Sequence, residues 1–197
     1  VGSKDSFDWM LERTLMRPRD VISFVNECID ASDGQGAITV NAMRKAEVEF
    51  ARKRRDALLQ EWRSSYPTLG LLLTAITKGG RWSCELGDLC DTDGSIDEFC
   101  LNICSDSQIA HDPLYPVCQA RIAGKGIDDF HVVQEVTSVL YRTGVIGVKL
   151  QAQDRMQYAH LDQPLVSPSV LARDTRIRLH PMLWAAYNVQ GQADRNS

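Results

Sequence analysis

From Asn41 to Tyr66 the chain runs for 26 residues without a Gly or a Pro, the two residues that most often interrupt a helix. Asn41 is a natural N-cap and Pro67 a natural stop, because the residue before a proline is pushed out of the α region. The run predicts one long helix. Ala42, Met43, Ala46, Phe50, Ala57, Leu58 and Trp62 supply its apolar stripe, and Arg44, Lys45, Arg52, Lys53, Arg54 and Arg55 are expected to face outward. An arm of that length must be packed by neighbouring parts of the chain on one side or the other.

On its amino-terminal side lies Phe7 to Ala31, which predicts two helices joined at Pro18–Arg19. Apolar residues at 7, 10, 11 and 15 mark one helix face. Pro18 suits the first position of the second helix, where its fixed φ fits and its missing N–H would lack a partner anyway. Positions 21, 22, 25, 28 and 29 form the expected buried stripe, and Gly34-Gln35-Gly36 marks the end.

After Pro67 the elements become short. Thr68 to Thr77 predicts a compact helix closed by Gly79-Gly80, and Ser83 to Cys90 and Ser95 to Cys104 predict two more. Asp112 as N-cap with Pro113 at the first position predicts a helix to about Ile122. Asp128 to Arg142 has the clearest helical period of this half, with Gly144 at its end. Two β-type runs come next, Val145 to Leu150 and Gln157 to Leu161, separated by polar residues; they predict a hairpin. A helix leading at once into a hairpin is the ending of a winged helix-turn-helix. Arg176 to Leu179 predicts a further short strand, His180 to Tyr187 a closing helix, and the residues from Gln190 onward a frayed tail. The expected class is mainly α: a helical subdomain with its long helix over 1–66, a winged-helix domain over 67–190 and a tail over 191–197.

Charge narrows the function. Residues 1–66 balance 11 Lys/Arg against 11 Asp/Glu, whereas Ser83 to Gln108 carry seven acidic residues and no basic one. That acidic stretch repels a phosphate backbone, so nucleic acid must be met elsewhere. The apolar run Leu69 to Ile76 is far short of the roughly 20 residues of a membrane helix. The start, VGSKDSF, has no apolar signal core, and the six cysteines then read as reduced thiols of a cytoplasmic protein. Cys84, Cys90, Cys100 and Cys104 lack the C-x2-C knuckle of a zinc site, and Cys100 and Cys104 sit one turn apart where Cys packs as a small hydrophobe. His111, His131, His160 and His180 form no metal or nucleophile motif. The run Arg52-Lys53-Arg54-Arg55 wraps more than a helical turn and reads as a solvated face.

The order of a Pro-Arg helical corner (RTLMRPRDVISFVNECI), a long helix, and helices ending in LYRTGVIGV and IRLHPMLWAAY resembles the C-terminal portion of bacterial P-loop ATPases related to the AAA+ and STAND groups. The resemblance implies a helical lid leading into a winged-helix domain. Such ATPases occur in bacterial defence systems. No G-x-x-x-x-G-K-[ST] loop is present, TKGGRWS and IAGKGID being the nearest pieces, so no hydrolysis is expected from this chain alone. The resemblance implies that Arg19 matches the sensor arginine at the start of a lid helix, acting on ATP and Mg²⁺ held by an ATPase core in the same polypeptide or a partner chain. The winged helix would bind duplex DNA or a protein. Asp128, Asp129 and Glu135 against Arg142 alone make a poor groove reader, so Lys149, Arg155, Arg173, Arg176 and Arg178 are the expected DNA face. The alternative is a stand-alone winged-helix DNA-binding regulator.

Overall fold

The computed structural model describes residues 5–90 and 94–189, which include eight α-helices and one four-stranded sheet. They divide into two compact units: residues 5–58, 79–82 and 179–189 form the first, and 59–78 with the described part of 83–178 the second. None of the described helices is long and apolar enough to cross a membrane.

In the first unit α1 (Ser6–Leu11) is capped by the Asp5 carboxylate, which accepts from the Phe7 N–H at 2.7 Å. A corner comes next, with Met16 at φ 56°, and α2 (Pro18–Ala31) starts with Pro18 at its first position as the sequence predicts. Helix α3 (Val40–Trp62) is the long arm, ending a turn before Tyr66. Trp9, Phe24, Cys28, Met43, Ala46 and Phe50 form the core, with Phe24 and Phe50 stacked at 4.5 Å.

Two expectations fail here. The buried face of α2 is Asp20, Phe24 and Cys28, whereas Ile22 and Ile29 are exposed and Val21 and Val25 half-buried. One aromatic ring that stacks on Phe50 outweighs four aliphatic side chains in fixing the helix rotation. On α3, Arg54 is buried and Ala57 is exposed. Arg54 lies on the same side as Phe50 and Leu58, four residues away each way, and is drawn inward by the buried Asp20.

The rest of this unit closes on tryptophans. Leu179 N–H donates to the Trp82 carbonyl at 2.8 Å, Trp184 Nε1 donates back to the Leu179 carbonyl at 2.8 Å, and the two indoles meet edge-on at 5.8 Å. The predicted helix over 180–187 is instead two 3₁₀ turns, Pro181–Leu183 and Ala185–Tyr187, the first capped by His180. The expected tail from residue 190 lies outside the described residues.

The second unit contains α4 (Leu69–Thr77), β1 (Ser83–Glu85), α5 (Gly87–Cys90), α6 (Ser95–Ser105), α7 (Tyr115–Ile122) and α8 (Asp129–Arg142). It also holds β2 (Ile146–Lys149), β3 (Gln157–Tyr158) and most of β4 (Arg176–Leu179), with sheet order β1-β4-β2-β3. Strand β1 stands where the sequence predicts the start of a helix; it pairs antiparallel with β4 in the register Ser83↔Arg178, Cys84↔Ile177, Glu85↔Arg176. A three-residue strand carries too little alternation to be read, and its partner lies some 90 residues on. The expected hairpin is present, with Gly147↔Tyr158 and Val148↔Gln157.

Helix α7 begins after Pro113, not at it, because Asp112 is used differently. Its Oδ1 accepts from Leu114 N–H at 2.9 Å, and its Oδ2 from the N–H and hydroxyl of Thr68 at 3.0 and 2.6 Å. Helix α8 ends on Gly144 at φ 77°, with Gly144 N–H bonded to the Tyr141 carbonyl and Val145 N–H to that of Leu140. This Schellman closure turns the chain directly into β2.

Candidate functional site

The entry to α2 is built by short-range constraints. Thr14 Oγ1 donates to the Leu11 carbonyl and accepts from Met16 N–H at 3.2 Å, holding Met16 in its left-handed conformation. Arg17 is then extended (φ −86°, ψ 131°), and its carbonyl accepts from Asp20 N–H at 2.9 Å as Pro18 opens the helix. Arg19 comes next with its side chain 66% exposed, while Asp20 beside it is inside.

The Asp20 carboxylate lies 3.7 Å from Arg19 Nε on one oxygen and 3.7 Å from Arg54 Nε on the other; the Asp20 and Arg54 side chains are each 5% exposed. A carboxylate in the first turn of a helix is favoured by the macrodipole. Here it also neutralises a buried guanidinium and ties α2 to α3. Arg19 therefore projects from the positive end of a 14-residue helix on a base fixed by a buried ion pair. Such an arrangement can offer a guanidinium to an anion without itself holding one.

The corner is braced from the α1 side by Arg13, which is buried. Its guanidinium pairs with Glu47 at 2.6 Å, donates to the Trp9 carbonyl at 3.3 Å and lies over the Trp9 ring at 3.9 Å, with Trp184 5.9 Å away on the same unit. Neither Arg13 nor the burial of Arg54 is legible from the local sequence. The i, i+4, i+8 series Asp20–Phe24–Cys28 is a signal that Asp20 shares the inward face of α2, but it does not name Arg54 as the partner.

The five cations expected to meet DNA sit on the second unit and are mostly committed to their own surroundings. Arg155 pairs with Asp162, which also accepts from Tyr158 N–H at 2.9 Å. Arg176 pairs with Glu85 at 2.9 Å, directly across the β1–β4 ladder. Arg173 lies over the Phe130 ring at 5.0 Å. Arg178 donates twice to the Tyr158 hydroxyl, at 2.9 and 2.7 Å, and Lys149 ends β2 half-buried. Arg176 and Arg178 share one face of β4, and Arg155 and Lys149 flank the hairpin turn.

The Tyr158–Arg178 contact depends on Gly147. A Cβ there would lie 2.6 and 2.7 Å from Tyr158 ring carbons and 2.8 Å from Met156 Cγ, so the absent side chain is what lets the ring lie beside β2. On α8 the polar residues of one stripe are also used: Gln134, Ser138 and Tyr141 donate to the carbonyls of Leu171, Val166 and Gln163 at 2.8, 2.8 and 2.7 Å. The loop segment 163–171, which includes the 3₁₀ turn Pro168–Val170, is thus bonded along one side of α8.

The six cysteines are free thiols. Cys100 of α6 and Cys118 of α7 are buried against each other; their mutual hydrogen bond and burial push the Cys118 thiol well above its usual range. No group of three or more His, Cys, Asp or Glu among the described residues could hold a metal ion.

Residues 1–59 match the model of a family described as the FunZ-associated C-terminal helical domain. The described part of the match comprises α1, α2 and most of α3, the elements that build the Arg19 corner. No curated protein and no solved structure matches the chain.

Proposed function

We propose that this chain is a regulatory and interaction module without catalysis of its own, working with a P-loop ATPase core that binds ATP and Mg²⁺. Arg19 is its nucleotide-sensing residue. The observation that carries the reading is the corner itself: an exposed guanidinium at the start of α2, held on the buried Asp20–Arg54 pair. Two further points support it. The matched family is by its description a FunZ-associated C-terminal helical domain, and the match falls on the elements that form the corner. The helix–hairpin succession of α8, β2 and β3 fits the ending expected of a winged helix.

For the winged-helix region a protein partner is the better-supported choice over DNA. Four of the five candidate cations are engaged with Asp162, Glu85, Phe130 or Tyr158, and the stripe Gln134, Ser138, Tyr141 is bonded to the segment 163–171. Meanwhile Leu165 and Val170 are exposed on that segment and Leu161 just before it, as a protein-binding surface requires.

The test is ATP turnover by the assembled core and chain. Arg19→Ala lowers the rate about tenfold to a hundredfold, the value of one charge-assisted contact made to the reacting phosphate. Unchanged turnover with the variant chain still bound rejects the sensor role. Duplex DNA binding that falls steeply with salt, and falls further on Lys149→Ala or Arg155→Ala, would favour a stand-alone DNA-binding regulator instead.

A further inference from the structure

We infer that the outward face of α2 is the contact surface of an antiparallel homodimer in which two copies of α2 lie side by side. Three observations converge on it. Ile22 and Ile29 stand two turns apart on this face, 61% and 56% exposed, with half-buried Val25 and exposed Asn26 between them. An apolar stripe at helical spacing opposite a complete core face is the form of a helix-to-helix contact.

The second observation is charge. Arg19 is exposed in the first turn, and Asp30 and Asp33 are exposed at the other end. Both placements run against the helix's own macrodipole and are offset within the chain only locally, Arg19 by Asp20 3.7 Å from its Nε and Asp30 by the charge of Lys53. An antiparallel neighbour reverses that balance. Each Arg19 then lies beside the partner's negative helix end with its Asp30 and Asp33, and each Asp30 beside the partner's positive end.

The third is symmetry. With a two-fold axis midway between Ile22 and Ile29, at Val25–Asn26, Ile22 of one copy faces Ile29 of the other, and Arg19 faces Ser32–Asp33. A self-complementary patch of this kind is what an isologous contact demands, and it commits the surface to a second copy of this chain. Two isoleucines and one half-buried valine make a small apolar centre, so a weak, reversible dimer is expected.

Sedimentation equilibrium of the full chain from about 10 µM to 1 mM tests this directly. Reversible monomer–dimer behaviour is expected, and Ile22→Asp with Ile29→Asp shifts the dissociation constant at least tenfold upward. Both positions are exposed, so the fold is retained, which near-ultraviolet circular dichroism checks. The dimer occupies the guanidinium that the sensor reading offers to nucleotide, so the two are alternative states of this face. The isoleucine variant keeps Arg19 and so tests the dimer without removing the sensor. Arg19→Glu and Asp30→Lys/Asp33→Lys chains each dimerise more weakly alone, and mixing them restores association in native mass spectra. A chain that stays monomeric throughout, a dimer indifferent to the two aspartates, or a mixture that regains nothing overturns the proposal.

Discussion

The two units differ in how their buried charged groups are partnered. In the first, side-chain charge is set against side-chain charge: Asp20 on Arg54, and Arg13 on Glu47 and the Trp9 ring. In the second, side chains serve the backbone: Asp112 takes the amides of Thr68 and Leu114, and Gln134, Ser138 and Tyr141 take the carbonyls of 163–171. A charge pair can be removed whole by mutation. A backbone amide cannot be removed, so the second kind of centre has no apolar substitute.

The largest expected effect comes from that asymmetry. Asp112→Ala strands three buried donors and costs about 4–6 kcal/mol by urea unfolding. Adding Thr68→Val recovers little, since two amides remain without acceptors. Asp20→Ala costs about 3–5 kcal/mol because Arg54 is left buried without its carboxylate. There the double change Asp20→Leu/Arg54→Leu returns to within about 1 kcal/mol of the parent. A double variant no better than Asp20→Ala would erase the distinction between the units.

Gly147→Ala sharpens the contrast inside the second unit. The added carbon must displace the Tyr158 ring and break its bonds to Arg178, at about 1–3 kcal/mol. Tyr158→Phe in the same background then adds little.

The smallest effect is at Tyr141. Losing its bond to the Gln163 carbonyl in Tyr141→Phe costs about 1 kcal/mol near neutral pH. Burial, reinforced by the Asp162 charge, raises the Tyr141 phenol above its ordinary 10.0. The folded state therefore holds this proton more tightly than the unfolded chain. Its contribution is complete below pH 10 and declines as pH climbs through the folded value, a decline that Tyr141→Phe removes.

Much of the helical skeleton is legible because its signals are local. Pro18 opens α2, Asp128 caps α8 through His131 N–H at 2.8 Å, and Gly144 closes it. The hairpin over 146–158 is announced by β-type runs on either side of a polar turn. The features that escape depend on distant partners. Strand β1 exists because β4 lies beside it, and Arg54 is buried because Asp20, 34 positions earlier, is buried too. The rotation of α2 is misjudged by counting apolar residues, since the Phe24–Phe50 stack decides which side faces in. The stripe so displaced, Ile22 and Ile29, is the exposed face of the proposed dimer. At the candidate site Arg19 is legible from the Pro-Arg corner, while the Asp20–Arg54 base beneath it is not.

Amide hydrogen exchange, read over both units at once, is the most direct test of the central claim that the α2 entry is the nucleotide-sensing end of this module. The chain is compared alone, with the ATPase core, and with the core plus ATP and Mg²⁺. The account predicts that nucleotide adds protection at residues 17–23. Protection that nucleotide leaves unchanged there, or that appears only over 146–178, contradicts it.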